Sequence, residues 1–194
     1  SECHPETPYA ESKWQAEQLL IDFCSKVGMN LTILRLATLY GEGDPGNVAR
    51  LIRSIEKGRF VWIGKGENLK SLLHRDDAAR ACLEAIKRPQ CGINIYNVSP
   101  PPCKMSDIVK TIYDAFGKSY PSWHIPASFA LNSAKFFKAL SFNHEKLSNI
   151  YDTLKKWLAD DYYSTEKFNN TFNFQTKVTL KEGIQREVEW LKTV

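Results

Sequence analysis

Residues 8–36, PYAESKWQAEQLLIDFCSKVGMNLTILRL, set a helix, a glycine stop and a strand in succession, and their reading decides the fold. From Tyr9, steps of three and four residues reach Lys13, Ala16, Leu20, Phe23 and Val27, one stripe of an amphipathic helix that predicts a buried face. Gly28 is a natural C-terminal stop for that helix. Leu31 to Leu36 then runs nearly unbroken apolar, as a strand covered on both faces does. A lysine is out of place in a stripe meant for a core. A phenol and an ammonium one turn apart make a proton-transfer pair, because the cation favours the phenolate and lowers the tyrosine pKa. The plainer reading of Tyr-x-x-x-Lys is a chance spacing, with Lys13 snorkelling to solvent from the first turn.

Working outward, the chain alternates between helix and strand. Gly41 to Gly46 reads as a loop and Val48 to Lys57 as a helix with Leu51, Ile52 and Ile55 inward. Phe60 to Ile63 and Leu72-Leu73 read as short strands, and Asp76 and Asp77 open a helix carrying Ala78, Ala81, Cys82, Ala85 and Ile86, where they suit an N-cap and dipole role. His74 reads as strand packing beside them. Ile93 to Val98 alternates as a strand, and after Pro100-Pro101-Pro102 a helix places Ile108, Ile112, Ala115 and Phe116 on one face. Ser128 to Leu140 and Glu145 to Leu158 read as amphipathic helices. Thr179-x-x-Glu182 has capping-box spacing ahead of Ile184, Val188 and Leu191. This alternation argues an α/β architecture.

Composition narrows the class. With 43% hydrophobic and 25% charged residues, 194 residues can bury a substantial core, and disorder is excluded. A net charge of +4 is too mild to argue for nucleic acid but suits an anionic small substrate. No apolar run approaches the roughly 18 residues of a spanning helix, so a membrane span is not expected. Cys3, Cys24, Cys82, Cys91 and Cys103 are odd in number and lack a Cys-x-x-Cys, which fits reduced thiols in a cytoplasm. His4, His74, His124 and His144 share no ligand spacing, so no metal is expected.

Pro8-Tyr9-x-x-Ser12-Lys13-x-x-x-Glu17, the strand ending Leu34-Arg35-Leu36, then Leu39-Tyr40-Gly41-Glu42-Gly43-Asp44, Gly64-Lys65-Gly66 and His74-Arg75-Asp76-Asp77 together resemble the extended short-chain dehydrogenase/reductase family. Within it the chain is similar to the sugar-nucleotide epimerase and dehydratase branch, and the likeness runs on to Leu180-x-x-Gly183-Ile184 and Trp190-Leu191. The family's glycine-rich dinucleotide turn should precede the tyrosine by more than a hundred residues, and no Gly-x-x-Gly-x-x-Gly occurs in the 194. The sequence is therefore expected to be the C-terminal portion of a longer enzyme, inactive alone, with the triad's serine or threonine upstream; Ser1 lies too close to Tyr9 for that role. The expected fold is α/β, the C-terminal part of a Rossmann-like parallel sheet plus a smaller, mostly helical substrate lobe. Residues 1–98 would end the dinucleotide domain, with substrate-lobe segments inserted at about 41–70, and 99–194 would form the lobe.

The resemblance implies NAD or NADP as cofactor, with Tyr9 and Lys13 as catalytic and cofactor-binding residues. Free tyrosine titrates near 10, so acting near neutrality needs about three units of depression, roughly 4 kcal/mol, which Lys13 and an oxidised nicotinamide would share. Leu36 and Ala37 would neighbour the nicotinamide. Thr38 falls where many sugar epimerases carry an asparagine on the sugar, and Lys70 where relatives use an arginine on the diphosphate, keeping the charge but losing the bidentate fork. Thr38 could equally bond its own backbone, and Lys70 could be solvated. The family also dimerises through the tyrosine helix, so the Tyr9 to Val27 helix, with Trp14 and Leu19 off the stripe, could carry a homodimer. Epimerase, dehydratase and reductase start from the same residues. The alternative is a reductase or dehydrogenase of a hydrophobic alcohol, as in hydroxysteroid or flavonol reductases, and a third reading is a partner-binding piece without activity. Phe136, Phe137 and Phe142 with Lys135 and Lys138 read as lid packing, or as a basic helix touching a membrane or partner.

Overall fold

The computed structural model describes residue 5 and residues 7–140 and 145–193, with the side chains of all but 136–150 and 152. Cys3, His4 and the Phe136–Phe142 cluster with Lys138 and His144 therefore fall outside the described side chains.

Helix α1 (Pro8–Val27) starts where the sequence supplies a cap. The Thr7 hydroxyl oxygen accepts from the Ala10 amide at 3.1 Å, and Pro8 occupies the first turn. It stops at Gly28, whose φ of 67° is left-handed and whose N–H reaches the Cys24 carbonyl. Strand β1 (Leu31–Leu36) follows and pairs in parallel with β5 (Ile93–Val98), in register from Leu31–Ile93 to Leu36–Val98. Beyond Ala37, whose amide donates to the Val98 carbonyl at 2.9 Å, the chain continues as β2 (Thr38–Tyr40) and changes partner to β4 (Leu72–His74), again parallel. An antiparallel pair, β3 (Leu69–Lys70) with β6 (Cys103–Lys104), completes the described strands.

Two cores hold this frame. The first is packed by α2 (Asn47–Glu56), α4 (Met105–Ala115) and α8 (Leu180–Leu191) around Tyr40, with Ile52, Ile108, Val109, Ile112 and Ile184 fully buried. Each such side chain contributes about 1.5–3 kcal/mol of transfer free energy. The second lies between β4, β5, α3 (Arg75–Lys87) and α7 (Glu166–Phe172), where Tyr96 meets Phe168 and Phe172 edge-on at 5.7 and 5.3 Å between ring centroids. Helices α5 (Ala127–Leu140) and α6 (Glu145–Leu158) pack on each other.

Gly183 is where α8 closes on the first core. A Cβ there would stand 2.3 Å from the Tyr40 hydroxyl, and Tyr40 is itself buried and unable to withdraw. Gly183→Ala should therefore cost about 1–3 kcal/mol through overpacking, more than the roughly 1 kcal/mol of helix propensity it gains. Urea unfolding with an unchanged m-value measures this. A stabilised variant would show that Tyr40 moves freely.

Four expectations are corrected. The α1 stripe is not buried: Leu20, Phe23 and Val27 are about half exposed, and α1 meets the sheet instead through Cys24 and through Glu17, which holds Arg35 of β1 at 3.0 Å. Periodicity marks a helix's apolar face but not the element that covers it. Leu31–Leu36 is only half-buried, because β5 is its one described strand neighbour and α1 lies on it lightly. Phe60–Ile63 forms no strand beyond an isolated bridge from Ile63 to Ile125. The cap of α3 comes from His74, whose Nδ1 accepts from the Asp76 amide at 3.2 Å.

Candidate functional site

Thr38 and Lys70 line one cavity of about 450 Å³. Thr38 reaches it because the chain switches partner two residues past the carboxyl end of β1. Lys70 reaches it from β3, whose pairing with β6 and whose bridge to Asp161 fix the strand across ninety residues of sequence. Helix α6 supplies Lys156 and Trp157, and the turn after it supplies Asp160 and Asp161.

The polar side of this cavity is wired together. Lys70 Nζ donates to the Lys156 carbonyl at 2.9 Å, and burial lowers its pKa against the opposing pull of Asp161 and Asp160. Asp160 accepts from the Leu69 amide at 2.7 Å, fixing the turn to β3. Tyr163 donates to Asp161 Oδ1 at 2.7 Å, and that bond, with burial, pushes the phenol up to about 12. Val48, Leu51, Leu72 and Ile108 give the opposite wall an apolar surface. The cavity thus combines two lysine side chains, two carboxylates and an apolar surface.

Tyr9 and Lys13 stand together but apart from this cavity. Lys13 Nζ lies over the Tyr9 ring, 5.5 Å from its centroid, and Tyr9 is 72% exposed. Neither residue lines the cavity. Leu36 is partly exposed at the end of β1, whereas Ala37 is buried in the second core.

A second polar cluster surrounds Tyr40 at the base of α8. Arg186 donates to Glu42 at 2.7 Å and to Asp76 at 2.8 Å, so it ties the Gly41–Gly46 loop, α3 and α8 into one corner. Because His74 Nδ1 accepts a hydrogen bond, its proton sits on Nε2, 3.4 Å from Glu42 Oε2. Asp77, fully buried, accepts from the Lys177 and Val178 amides at 3.0 Å and pairs with Arg80. Burial first, then the charge of Glu187, raises the Tyr40 pKa, which disqualifies that phenol as a base. This corner is a structural latch. Among the described residues no His, Cys, Asp and Glu set could hold a metal ion, and no helix is long and apolar enough to cross a membrane.

Sequence reading reached Thr38 and Lys70 but missed Lys156, Trp157, Asp160 and Asp161. An Asp-Asp pair after an amphipathic helix carries no spacing signal of its own; only the bridge to Lys70 gives it meaning.

A parallel α/β frame with a cavity past the end of its first strand places the chain in the open-sheet α/β class. Residues 1–99 match the NAD dependent epimerase/dehydratase family, and the chain belongs to that family. It is 29% identical over 196 residues to the N-acetyl-alpha-D-glucosaminyl-diphospho-ditrans,octacis-undecaprenol 4-epimerase of Escherichia coli O157:H7, covering 97% of this chain and 59% of that protein. It is 26% identical to the UDP-glucose 4-epimerase of Vibrio cholerae, covering 95% and 54%. Among solved structures, the UDP-glucuronic acid 4-epimerase of Bacillus cereus in complex with NAD aligns with a TM-score of 0.73 at 17% identity, over 99% of this chain and 54% of that one. The fold is thus that of Rossmann-type epimerases, and the chain spans little more than half the length of these relatives.

Proposed function

We propose that this chain carries the proton-transfer helix and the substrate lobe of an NAD(P)-dependent sugar epimerase or dehydratase acting on a diphosphate-linked sugar. Residues 1–98 end its dinucleotide domain, with 41–70 lent in part to the substrate lobe, and 99–194 form most of that lobe. The observation that carries the reading is the meeting of Thr38 and Lys70, far apart in sequence and both at positions the family uses for substrate, on one cavity. The relatives named above act on sugars borne on UDP or on a polyprenyl diphosphate, which supports this substrate class for the present chain.

Tyr9 would accept the proton of a sugar hydroxyl, and a dinucleotide, when bound, would take the hydride from the same carbon, leaving a ketone. The residues present fit the nicotinamide end of such a cofactor: Lys13 is exposed beside Tyr9, free to meet ribose hydroxyls, and Leu36 offers an apolar edge. They offer no glycine-rich cradle for its pyrophosphate. The proton transfer to Tyr9 requires that the exposed α1 face be covered in the working enzyme. Lys70 holds the diphosphate and Thr38 the sugar.

The deciding experiment joins residues 1–194 to a glycine-rich dinucleotide half and follows UDP-glucose and UDP-N-acetylglucosamine by NMR. Appearance of the 4-epimer or a 4-keto-6-deoxy product is the expected result. Inertness toward all sugar diphosphates, with turnover of hydrophobic alcohols instead, would refute the assignment.

A further inference from the structure

A second cavity, of about 300 Å³, adjoins the first and shares Leu51, Met105, Thr153 and Trp157 with it. Its own walls are Val61, Trp62, Ile63, Leu154 and Leu158. Trp62 is fixed there by Gly66, where a Cβ would come within 2.4 Å of the indole.

Four polar residues, Arg50, Ser54, Asn68 and Thr153, border this cavity, and the Arg50 and Asn68 side chains already donate within the protein. The Asn68 amide donates to the Trp157 carbonyl at 2.9 Å and to that of Ala159, and the Arg50 guanidinium donates to Asn47 at 3.0 Å. Along the loop that forms its rim, the Trp62 carbonyl is taken by the Ile125 amide and the Gly66 carbonyl by the Ser106 amide. A nucleobase seated against these mainly apolar walls would surrender the water on its amide edge and regain few partners, an outcome that costs free energy for each unpaired donor or acceptor. A hydrocarbon surrenders nothing of the kind and gains from every apolar area it covers.

We infer that this second cavity receives the first isoprene units of a prenyl diphosphate, so that the sugar carried by this enzyme is linked to a lipid rather than to a nucleoside. The inference rests on the sugar-diphosphate reading of the first cavity: the diphosphate lies at Lys70 and Lys156, and the chain leaves it across Trp157 into the apolar compartment. Val61, 45% exposed, marks the mouth where a longer chain would exit.

Two of the five tryptophans stand in these walls, so the 194-residue chain reports binding through its own emission. Farnesyl diphosphate and UDP-glucose are titrated separately. Farnesyl diphosphate is expected to change the emission saturably with a Kd at least about tenfold below that of UDP-glucose. Val61→Asn, a change at a part-exposed position, should weaken farnesyl diphosphate by roughly tenfold and leave UDP-glucose within about twofold. Leu154→Gln should repeat that split, and circular dichroism shows whether either variant is folded. Lys70→Met should weaken both ligands. If UDP-glucose binds in a Lys70-dependent way and as tightly as farnesyl diphosphate, the lipid assignment is overturned while the sugar-diphosphate reading stands. Binding of neither ligand overturns both. If farnesyl diphosphate binds but ignores Val61→Asn and Leu154→Gln, it is adsorbing elsewhere, as on the exposed face of α1, and the lipid assignment is again overturned.

Discussion

Tyr9→Phe in a cofactor-competent form of the enzyme lowers kcat by roughly 10²–10⁴-fold, the loss typical of a removed general acid or base, and leaves KM within a few fold. The phenol is asked to bond the sugar more strongly as its proton departs than when the sugar first binds, so its removal acts on the transition state and not on ground-state affinity. The structure adds a control that separates this from a folding defect. Tyr9 is 72% exposed on the first turn of α1, while the cap that starts the helix is Thr7. Loss of one solvated hydroxyl there should move stability by no more than about 0.5 kcal/mol. Lys13→Met should also cut kcat, because it removes the ammonium that stands beside the phenol. A Tyr9→Phe enzyme that turns over normally, or one that loses activity and stability in parallel, would remove Tyr9 from the proton path.

How far the sequence foretold this arrangement is clearest at two charged residues set in apolar stripes. Lys13 opens the stripe of α1, and reading it as inward-facing failed: the stripe is apolar, yet the described residues leave Leu20, Phe23 and Val27 about half exposed. Glu187 interrupts the stripe Ile184, Val188, Leu191 in the same manner and is wholly buried. Spacing identifies such anomalies, and only the neighbouring elements decide between solvent and core. Local chemistry was more legible. Gly28 and Thr179 each marked a helix end that the backbone adopts, since a cap depends on groups within three or four residues. Helix α7 escaped because Glu166–Phe172 offers only Phe168 and Phe172 among polar residues, too short a pattern for periodicity. Its two rings become intelligible only against Tyr96 of β5. The cavity was legible by half: Thr38 and Lys70 could be placed through resemblance, whereas Asp160 and Asp161 reach Lys70 through a strand bridge that local sequence does not encode.

Glu187 carries the second large expectation, a stability that falls as pH rises. Its carboxylate is fully buried and neither oxygen has a well-formed hydrogen bond. Burial, then the charge of Asp44 and of Glu42, raises its pKa from 4.5 to about 7, and the Gly41 backbone amide only partly opposes them. A carboxyl raised on folding keeps its proton in the native chain where the unfolded chain has lost it, so the native state binds more protons between about pH 4.5 and 7. Stability therefore declines across that window and stays low above it, by roughly 3 kcal/mol in all at about 1.4 kcal/mol per unit. Glu42 and Asp76 are shifted the other way: at Glu42 burial is the largest single influence but is outweighed jointly by a backbone hydrogen bond, Arg186 and Arg75, while at Asp76 the Arg186 bond leads, and both pKa values drop. Their contribution is lost only as pH falls through the acidic range, below the window that Glu187 governs. Denaturant unfolding at pH 5 and pH 8 should show the wild type markedly less stable at the higher pH. Glu187→Gln, neutral at both, should flatten the dependence and exceed the wild type at pH 8. Equal stability of the wild type at the two values would mean that Glu187 is ionised in the folded chain, held by a donor that the latch of Tyr40, Glu42 and Arg186 does not supply.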